Sequence, residues 1–354
     1  MTNDKIEAAH GSELEIRRGG NWNRREFVKG VAALAGSAGL LGYDMRPASA
    51  EPPPEITKIR LVHTPVICFA PQYLAEDLLR LEGFTEVEYI KPGNDGSMVL
   101  MGAGAADFVN TGPTAILPAL DAGAPITVLA GLHFGCWELF ANDSIKSIRD
   151  LKGKAVAIIG LGNLDHVWIA SMMSYVGMDP RKDVRWIPTQ RIAESMRLFL
   201  EGKADAFLAF PPQPQELRAK KIGRVIVNIT LDRPWSQYFC CMLAARSEFV
   251  RDNPIATKRA MRALLKATDI CSREPELAAR FLVTKGYEPR YEIALEVLKS
   301  LPYDRWRLAN PEDTLRFHAV RLHEVGMIKS SPQKLIAQGT DWRFLNELKR
   351  ELKA

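Results

Sequence analysis

The chain has 354 residues, 47% hydrophobic and 25% charged, with 47 Lys and Arg against 42 Asp and Glu. That length and apolar content suit about two globular domains and exclude a disordered or fibrous chain, while a net charge of +5 spread without basic runs leaves no footprint for nucleic acid. The five cysteines, Cys68, Cys136, Cys240, Cys241 and Cys271, contain no CxxC pair and no metal-ligand spacing with the six histidines, so neither a metal nor a cofactor is expected.

Residues 1–50 read as an export signal. Asn23-Arg24-Arg25-Glu26-Phe27-Val28-Lys29 sets a twin arginine before an aromatic, an aliphatic and a lysine. The Ala- and Gly-rich stretch 30–42 is too short for a bilayer, which needs about 20 apolar residues, and Ala48-Ser49-Ala50 is a small-residue cleavage site. The expectation is a periplasmic protein exported through the twin-arginine pathway. Pro52-Pro53-Pro54 then forms a stiff spacer.

Folding begins near Ile56. A short strand around Ile59 to Val62 is broken by His63-Thr64-Pro65, and Gln72 to Leu81 has helical apolar spacing. Strand Val87 to Ile90, the turn Pro92-Gly93-Asn94-Asp95-Gly96, helix Ser97 to Met101 and strand Asp107 to Asn110 repeat the pattern. Pro113 suits the first turn of a helix opened by Thr111-Gly112-Pro113-Thr114. Ile126 to Ala130 and Trp137 to Ala141 are further strand-like runs.

A second α/β unit occupies Ser144 to Asn228. It contains the continuous apolar strand Ala155 to Ile159, helix Leu164 to Val176, strand Val184 to Pro188, an amphipathic helix Ile192 to Leu200, strand Ala206 to Phe210 and strand Val225 to Ile229. Alternating strands and helices argue for sheets covered on both faces. In the run Tyr238 to Ala244, the adjacent Cys240 and Cys241 read as buried small apolar residues. From Asn253 onward the chain turns helical: Pro254 to Cys271, Pro275 to Lys285, Pro289 to Leu298, Pro311 to Val325 and Trp342 to Leu352. Asn-Pro pairs mark two of the helix starts.

Several segments carry a resemblance. Gly104-Ala105-Ala106-Asp107-Phe108 followed by Thr111-Gly112-Pro113-Thr114, the element Ser147-Ile148-Arg149-Asp150-Leu151-Lys152-Gly153-Lys154 before a buried strand, Gly202-Lys203-Ala204-Asp205-Ala206-Phe207, and C-terminal Gly326-Met327-Ile328 and Gly339-Thr340-Asp341 resemble the nitrate, sulfonate and taurine binding-protein family, which also contains thiamine-pyrimidine-synthase-like proteins. The resemblance implies an α/β periplasmic-binding-protein type II fold, in which two lobes joined by two crossovers hinge over a cleft. It places lobe one at residues 56–141 plus 236–310, lobe two at 142–235, and C-terminal helices 311–354 as a shell bracing lobe one. It further implies a monomer that passes a small organic ligand to an ABC-type inner-membrane permease and its ATPase, with no catalytic residue. Phe210-Pro211-Pro212-Gln213 stands where the family has Trp-Glu-Pro or Trp-Asp-Pro, which removes a carboxylate and disfavours an amine such as taurine.

In open α/β sheets, ligands sit beyond the carboxyl ends of strands, so four loops are candidates: 63–68, 93–97, 111–114 and 160–166. Gly160-Leu161-Gly162-Asn163 follows a buried strand and opens a helix, which directs free amides and about half a positive charge at the cleft and favours an anionic head, of the sulfonate or carboxylate class. As a dinucleotide motif it fails, because Asp165 stands at the third glycine. Glycines needed for turn geometry alone explain the loop equally well. The candidate ligand contacts are His63, Thr64, Asn94, Asp95, Thr111, Thr114, Gly162, Asn163, His166 and Gln213, with Trp137, Phe210, Trp235 and Tyr238 as aromatic walls. Rival readings are a cysteine-dependent enzyme using Cys68 with His63 as base, a pyrimidine synthase, and a ligand-sensing partner protein.

Overall fold

The computed structural model describes residues 51–92 and 96–352, so the export-signal expectation and the candidates Asn94 and Asp95 lie outside the described residues. Among the described residues no helix is long and apolar enough to cross a membrane. Residues 52–354 form one compact unit built on two five-stranded sheets.

The first sheet opens with β1 (Lys58–Val62), whose inward residues Ile59, Leu61 and Val62 are buried. Helix α1 (Ala70–Leu81) returns the chain to β2 (Glu86–Ile90), which pairs parallel to β1 with Ile59 opposite Val87. Helix α2 (Ser97–Gly102), strand β3 (Phe108–Thr111), helix α3 (Pro113–Asp121) and strand β4 (Ile126–Phe134) follow.

The chain then crosses to the second sheet, starting at β5 (Glu138–Ala141), which pairs antiparallel with two strands formed much later. The expected lobe boundary after Ala141 is therefore moved: the first crossover lies between Phe134 and Glu138. A strand buried on both faces carries no periodicity that says which sheet it joins. Strand β6 (Ala155–Ile158), helix α4 (Leu164–Tyr175), strand β7 (Arg185–Pro188), helix α5 (Ile192–Leu200), strand β8 (Ala206–Ala209), helix α6 (Gln213–Lys220) and strand β9 (Arg224–Asn228) complete the order β7-β6-β8-β5-β9. Helix α6 has no expectation in the sequence, because its Gln, Glu, Arg and Lys lack an apolar stripe.

The second crossover leads to β10 (Phe239–Arg246), which inserts antiparallel between β3 and β4 and gives the order β2-β1-β3-β10-β4. The crossovers touch. Gly135 has φ +75°, and a Cβ there would lie 2.0 Å from Thr230 Oγ1, while Cys136, at φ 99°, donates its backbone N–H to the same hydroxyl at 3.2 Å.

The helices beyond are α7 (Ser247–Asp252), α8 (Pro254–Arg273), α9 (Pro275–Thr284), α10 (Tyr291–Ser300), α11 (Pro311–Glu324), α12 (Pro332–Gly339) and α13 (Arg343–Glu351). Leu335, Ile336, Phe344, Leu345 and Leu348 join the core of the first sheet, and Thr340 bridges Val128 of β4. Helix α11, expected to brace lobe one, also reaches the second lobe: His318 Nδ1 lies 3.1 Å from Ser171 Oγ, and its ring meets Trp168 of α4 edge-on at 4.5 Å.

Candidate functional site

A cleft of about 550 Å³ lies between the two sheets, in the size range of small-molecule sites. From the first sheet's side come Thr64, Val66, Phe69, Ser97 and Met98, together with Asn110 and Thr111 at the carboxyl end of β3 and Gly112, Ala115, Pro118 and Ala119 from the start of α3. From the second come Trp137, Ile159, Gly162, Asn163, Leu164 and Phe210, and Cys68, Cys136 and Cys241 line the cleft beside the crossovers. Among the described residues, none of these lining side chains is charged.

Asn110 is the most informative of them. It is 3% exposed, and both its amide oxygen and its amide nitrogen are buried with no hydrogen-bond partner among the described residues. An orphaned amide costs free energy in the folded state, on the order of 1–3 kcal/mol per group, and such groups are rare enough to indicate a missing partner. Sequence reasoning passed over Asn110 as one residue of a buried strand.

The sequence candidates divide. Thr64, Thr111, Trp137, Gly162, Asn163 and Phe210 do line the cleft, with Trp137 and Phe210 packed at 5.0 Å between ring centres. Thr114 is fully buried, its hydroxyl donating to the Leu164 carbonyl at 3.4 Å, which ties α3 to α4 across the lobes instead of meeting a ligand. Gln213 donates to the Ile192 carbonyl. Trp235 packs against Tyr175 and Phe317, and Tyr238 stacks on Phe317 at 4.1 Å, both away from the cleft, so the second crossover faces α11 rather than the solute. His63 meets Tyr73, Tyr89 and Tyr287, and burial, helped by Lys91, lowers its pKa.

The loop 160–166 differs from expectation in its chemistry. Gly162 N–H donates to His166 Nδ1 at 3.0 Å and Asn163 N–H to the Gly160 carbonyl at 3.1 Å. Asp165, 1% exposed, accepts from Ile159 N–H at 2.6 Å and from His166 N–H at 2.9 Å. The protein's own carboxylate thus sits at the positive end of α4, and the Gly162, Asn163 and His166 amides are engaged internally. Gly162 has φ +82°, so turn geometry accounts for that glycine. Burial raises the Asp165 pKa to about 6 against its backbone hydrogen bonds, and burial lowers that of His166 to about 4.

The cysteines form the second departure. Cys68, Cys136, Cys240 and Cys241 converge beside His133, although their spacing suggested no cluster. Cys136 Sγ lies 3.2 Å from Cys240 Sγ, and Cys241 Sγ 3.8 Å from it. For Cys68 the hydrogen bond with Cys136 lowers the pKa, but Cys241 and burial outweigh it and hold the thiol well above its ordinary range. Burial first pushes Cys136 and Cys240 up as well. Burial also opposes ionisation of Cys241, yet hydrogen bonds from Cys136, Cys240 and Cys68 and the charge of His133 bring it below an ordinary thiol. The partners of the Cys68 thiol are thus sulfurs, and His63 lies among tyrosines, so the Cys68–His63 dyad of the rival enzyme reading is not formed.

Two sheets sharing exchanged strands, with a cleft between them at the carboxyl ends of β3 and β6, define the periplasmic-binding-protein fold. Residues 70–278 match the family described as NMT1/THI5 like, and the chain belongs to that family. The nitrate-binding protein NrtA of Synechocystis PCC 6803 has the same fold (TM-score 0.71, 16% identity, 85% of this chain and 90% of that one), as has the alkanesulfonate-binding protein SsuA of Xanthomonas axonopodis (TM-score 0.66, 15% identity, 81% and 99%). In sequence the chain is 26% identical over 188 residues to a Brucella abortus protein named only as a binding protein, covering 51% of this chain and 57% of that relative's length. It is 23% identical over 272 residues to the 4-amino-5-hydroxymethyl-2-methylpyrimidine phosphate synthase of Candida albicans, covering 68% and 78%.

Proposed function

We propose that this protein is a periplasmic solute-binding protein, exported by the twin-arginine route, that holds a small organic molecule between its lobes and delivers it as a monomer to an ABC-type permease and its ATPase. The observation that carries the reading is the buried amide of Asn110, unpartnered among the described residues, in a cleft whose described lining side chains are uncharged. The amide offers one donor and one acceptor edge, and Trp137, Phe210, Phe69, Met98 and Leu164 offer apolar walls. This wall suits a largely apolar, neutral molecule with one hydrogen-bonding edge better than the sulfonate or carboxylate expected from the loop at Gly160. A desolvated anion here would face no cationic side chain among the described lining residues and would meet α4 where Asp165 already sits.

A thermal-shift comparison of matched neutral and anionic compounds, such as aromatic carboxamides against the corresponding carboxylates, tests it. A neutral compound at a hundred times its dissociation constant adds about 2.7 kcal/mol to stability, and Asn110→Ala abolishes the shift. Stabilisation by the anions alone overturns the ligand class, and stabilisation unchanged in Asn110→Ala overturns the site.

A further inference from the structure

The sulfur cluster goes beyond solute capture. Cys68 lies in the loop before α1, His133 near the end of β4, Cys136 in the first crossover, and Cys240 and Cys241 in β10. Strand alternation would put adjacent residues on opposite faces. Register shifts in the β10–β4 ladder on either side of Cys241 break that alternation, and the sulfurs of Cys240 and Cys241 come within 3.8 Å.

Two sets of three donors result, Cys68–His133–Cys241 and Cys136–Cys240–Cys241, each with its donor atoms within 4.8 Å of one another. All five residues are buried. His133 is oriented as metal-binding histidines are: Nδ1 lies 3.2 Å from the Phe134 carbonyl, to which it donates, while Nε2 is buried with no hydrogen-bond partner among the described residues and is the nitrogen left to ligate an ion once it is deprotonated. Tyr303 backs the set, with its hydroxyl on the Cys68 carbonyl at 3.0 Å and its ring edge-on to His133 at 5.3 Å.

We propose that Cys68, His133 and Cys241 hold a Zn²⁺ ion at the floor of the cleft, with a fourth coordination position open toward the solute. Thiolate and imidazole donors select a soft or borderline cation. Zn–S bonds of about 2.3 Å and Zn–N of about 2.0 Å place tetrahedral donors about 3.5–3.8 Å apart, compatible with donors already within 4.8 Å of one another. Charge decides between the two sets. Zn²⁺ with two thiolates and a neutral imidazole is electrically neutral, as a dry interior requires, whereas three thiolates leave a buried negative charge. Cys68 and Cys241 both line the cleft, which leaves the open position on the solute side. Cys136 and Cys240 then serve as thiol neighbours of the bound sulfurs. On binding, the protons remaining on Cys68, Cys241 and His133 Nε2 leave to solvent and no electron is transferred.

The test uses the full chain, reduced and without solute, so its outcome is separate from that of the ligand screen. After equilibration with Zn²⁺ and dialysis, one equivalent is retained, and Co²⁺ in its place shows sulfur-to-cobalt charge-transfer absorption with tetrahedral bands in the visible. Cys241→Ser and His133→Ala lose the ion and the bands, while Cys271→Ser, a buried thiol outside both sets, keeps them. Should either variant fail to fold, the wild type decides: chelation lowers Tm by several degrees and Zn²⁺ restores it. Retention of neither ion by the reduced wild type, binding of Cu⁺ but not Zn²⁺, binding undiminished in both variants, or a Tm indifferent to chelation overturns the proposal.

Discussion

The two βα corners that face each other across the cleft share a sequence logic and differ in outcome. At the first, β3 runs through Asn110 and Thr111 into Gly112 and α3, and the corner stays open: Asn110 has no partner among the described residues, and Thr111, Gly112 and Ala115 line the cleft. At the second, β6 runs through Gly160 and Gly162 into α4, and the corner is sealed by Asp165 and His166, which take up the Ile159, Gly162 and His166 amides. A glycine-rich turn before a helix is therefore not by itself a ligand site. What decides is whether the chain's own side chains already occupy the positive end of the helix.

Removing the seal should have the largest effect. Asp165→Ala leaves two N–H donors without their acceptor in a buried corner, and stability to urea is expected to fall by about 2–3 kcal/mol. Unchanged stability would mean that the corner does not depend on Asp165.

Acid titration sharpens the same comparison. His166, with its pKa lowered to about 4 by burial, binds a proton only when unfolded between that value and its unfolded value, so its contribution to stability is lost as pH falls from about 6.5 to 4. Asp165, raised to about 6, binds its proton more tightly when folded and therefore gains stability over nearly the same fall. The two oppose each other. Relative to wild type, Asp165→Asn should lose stability, and His166→Gln gain it, as pH is lowered from 6.5 to 4, each by on the order of 2 kcal/mol. Urea unfolding at successive pH values would refute the pairing if the two differences ran the same way.

At the open corner, Gly112 is held by close packing. A Cβ there would lie 3.0 Å from Leu164 Cδ1 and 3.3 Å from the Cys240 carbonyl. Gly112→Val should destabilise by about 1–3 kcal/mol by overpacking and hold α3 away from α4, widening the cleft in small-angle scattering. The smallest effect is a gain: Asn110→Leu removes an unpaired buried amide at nearly constant volume, and stability without solute should rise by about 1 kcal/mol while solute-induced stabilisation is lost. A loss of stability instead would show that the amide has a partner.

Most of the α/β elements were legible. Helix Ile192–Leu200 follows from Met196 and Phe199 on its buried side, and Pro254 and Pro311 sit at the helix starts their Asn-Pro pairs mark. Elements without an apolar stripe, such as Gln213–Lys220, and the sheet membership of Glu138–Ala141 were not legible, since neither depends on a local pattern. Of the candidate residues, Thr64, Thr111, Trp137, Gly162, Asn163 and Phe210 line the cleft, a placement legible because strand ends and helix starts can be read from sequence. Thr114, Gln213, Trp235 and Tyr238 instead meet partners more than 20 residues away in the chain, and His166 meets Gly162 within its own loop, contacts that no local pattern displays.

Sequence alone determined the alternation of strands and helices, the family and the position of the loops, since periodicity, caps and turns act within a few residues. Only the tertiary structure decided which corner is open, that Asn110 is left unpaired among the described residues, and that cysteines from three separated segments converge, Cys68 and Cys241 of them with His133. Those outcomes depend on strand order and on a shift of register in β10, and distances of a few ångströms between residues as far apart as Cys68 and Cys241 are set by the whole packing.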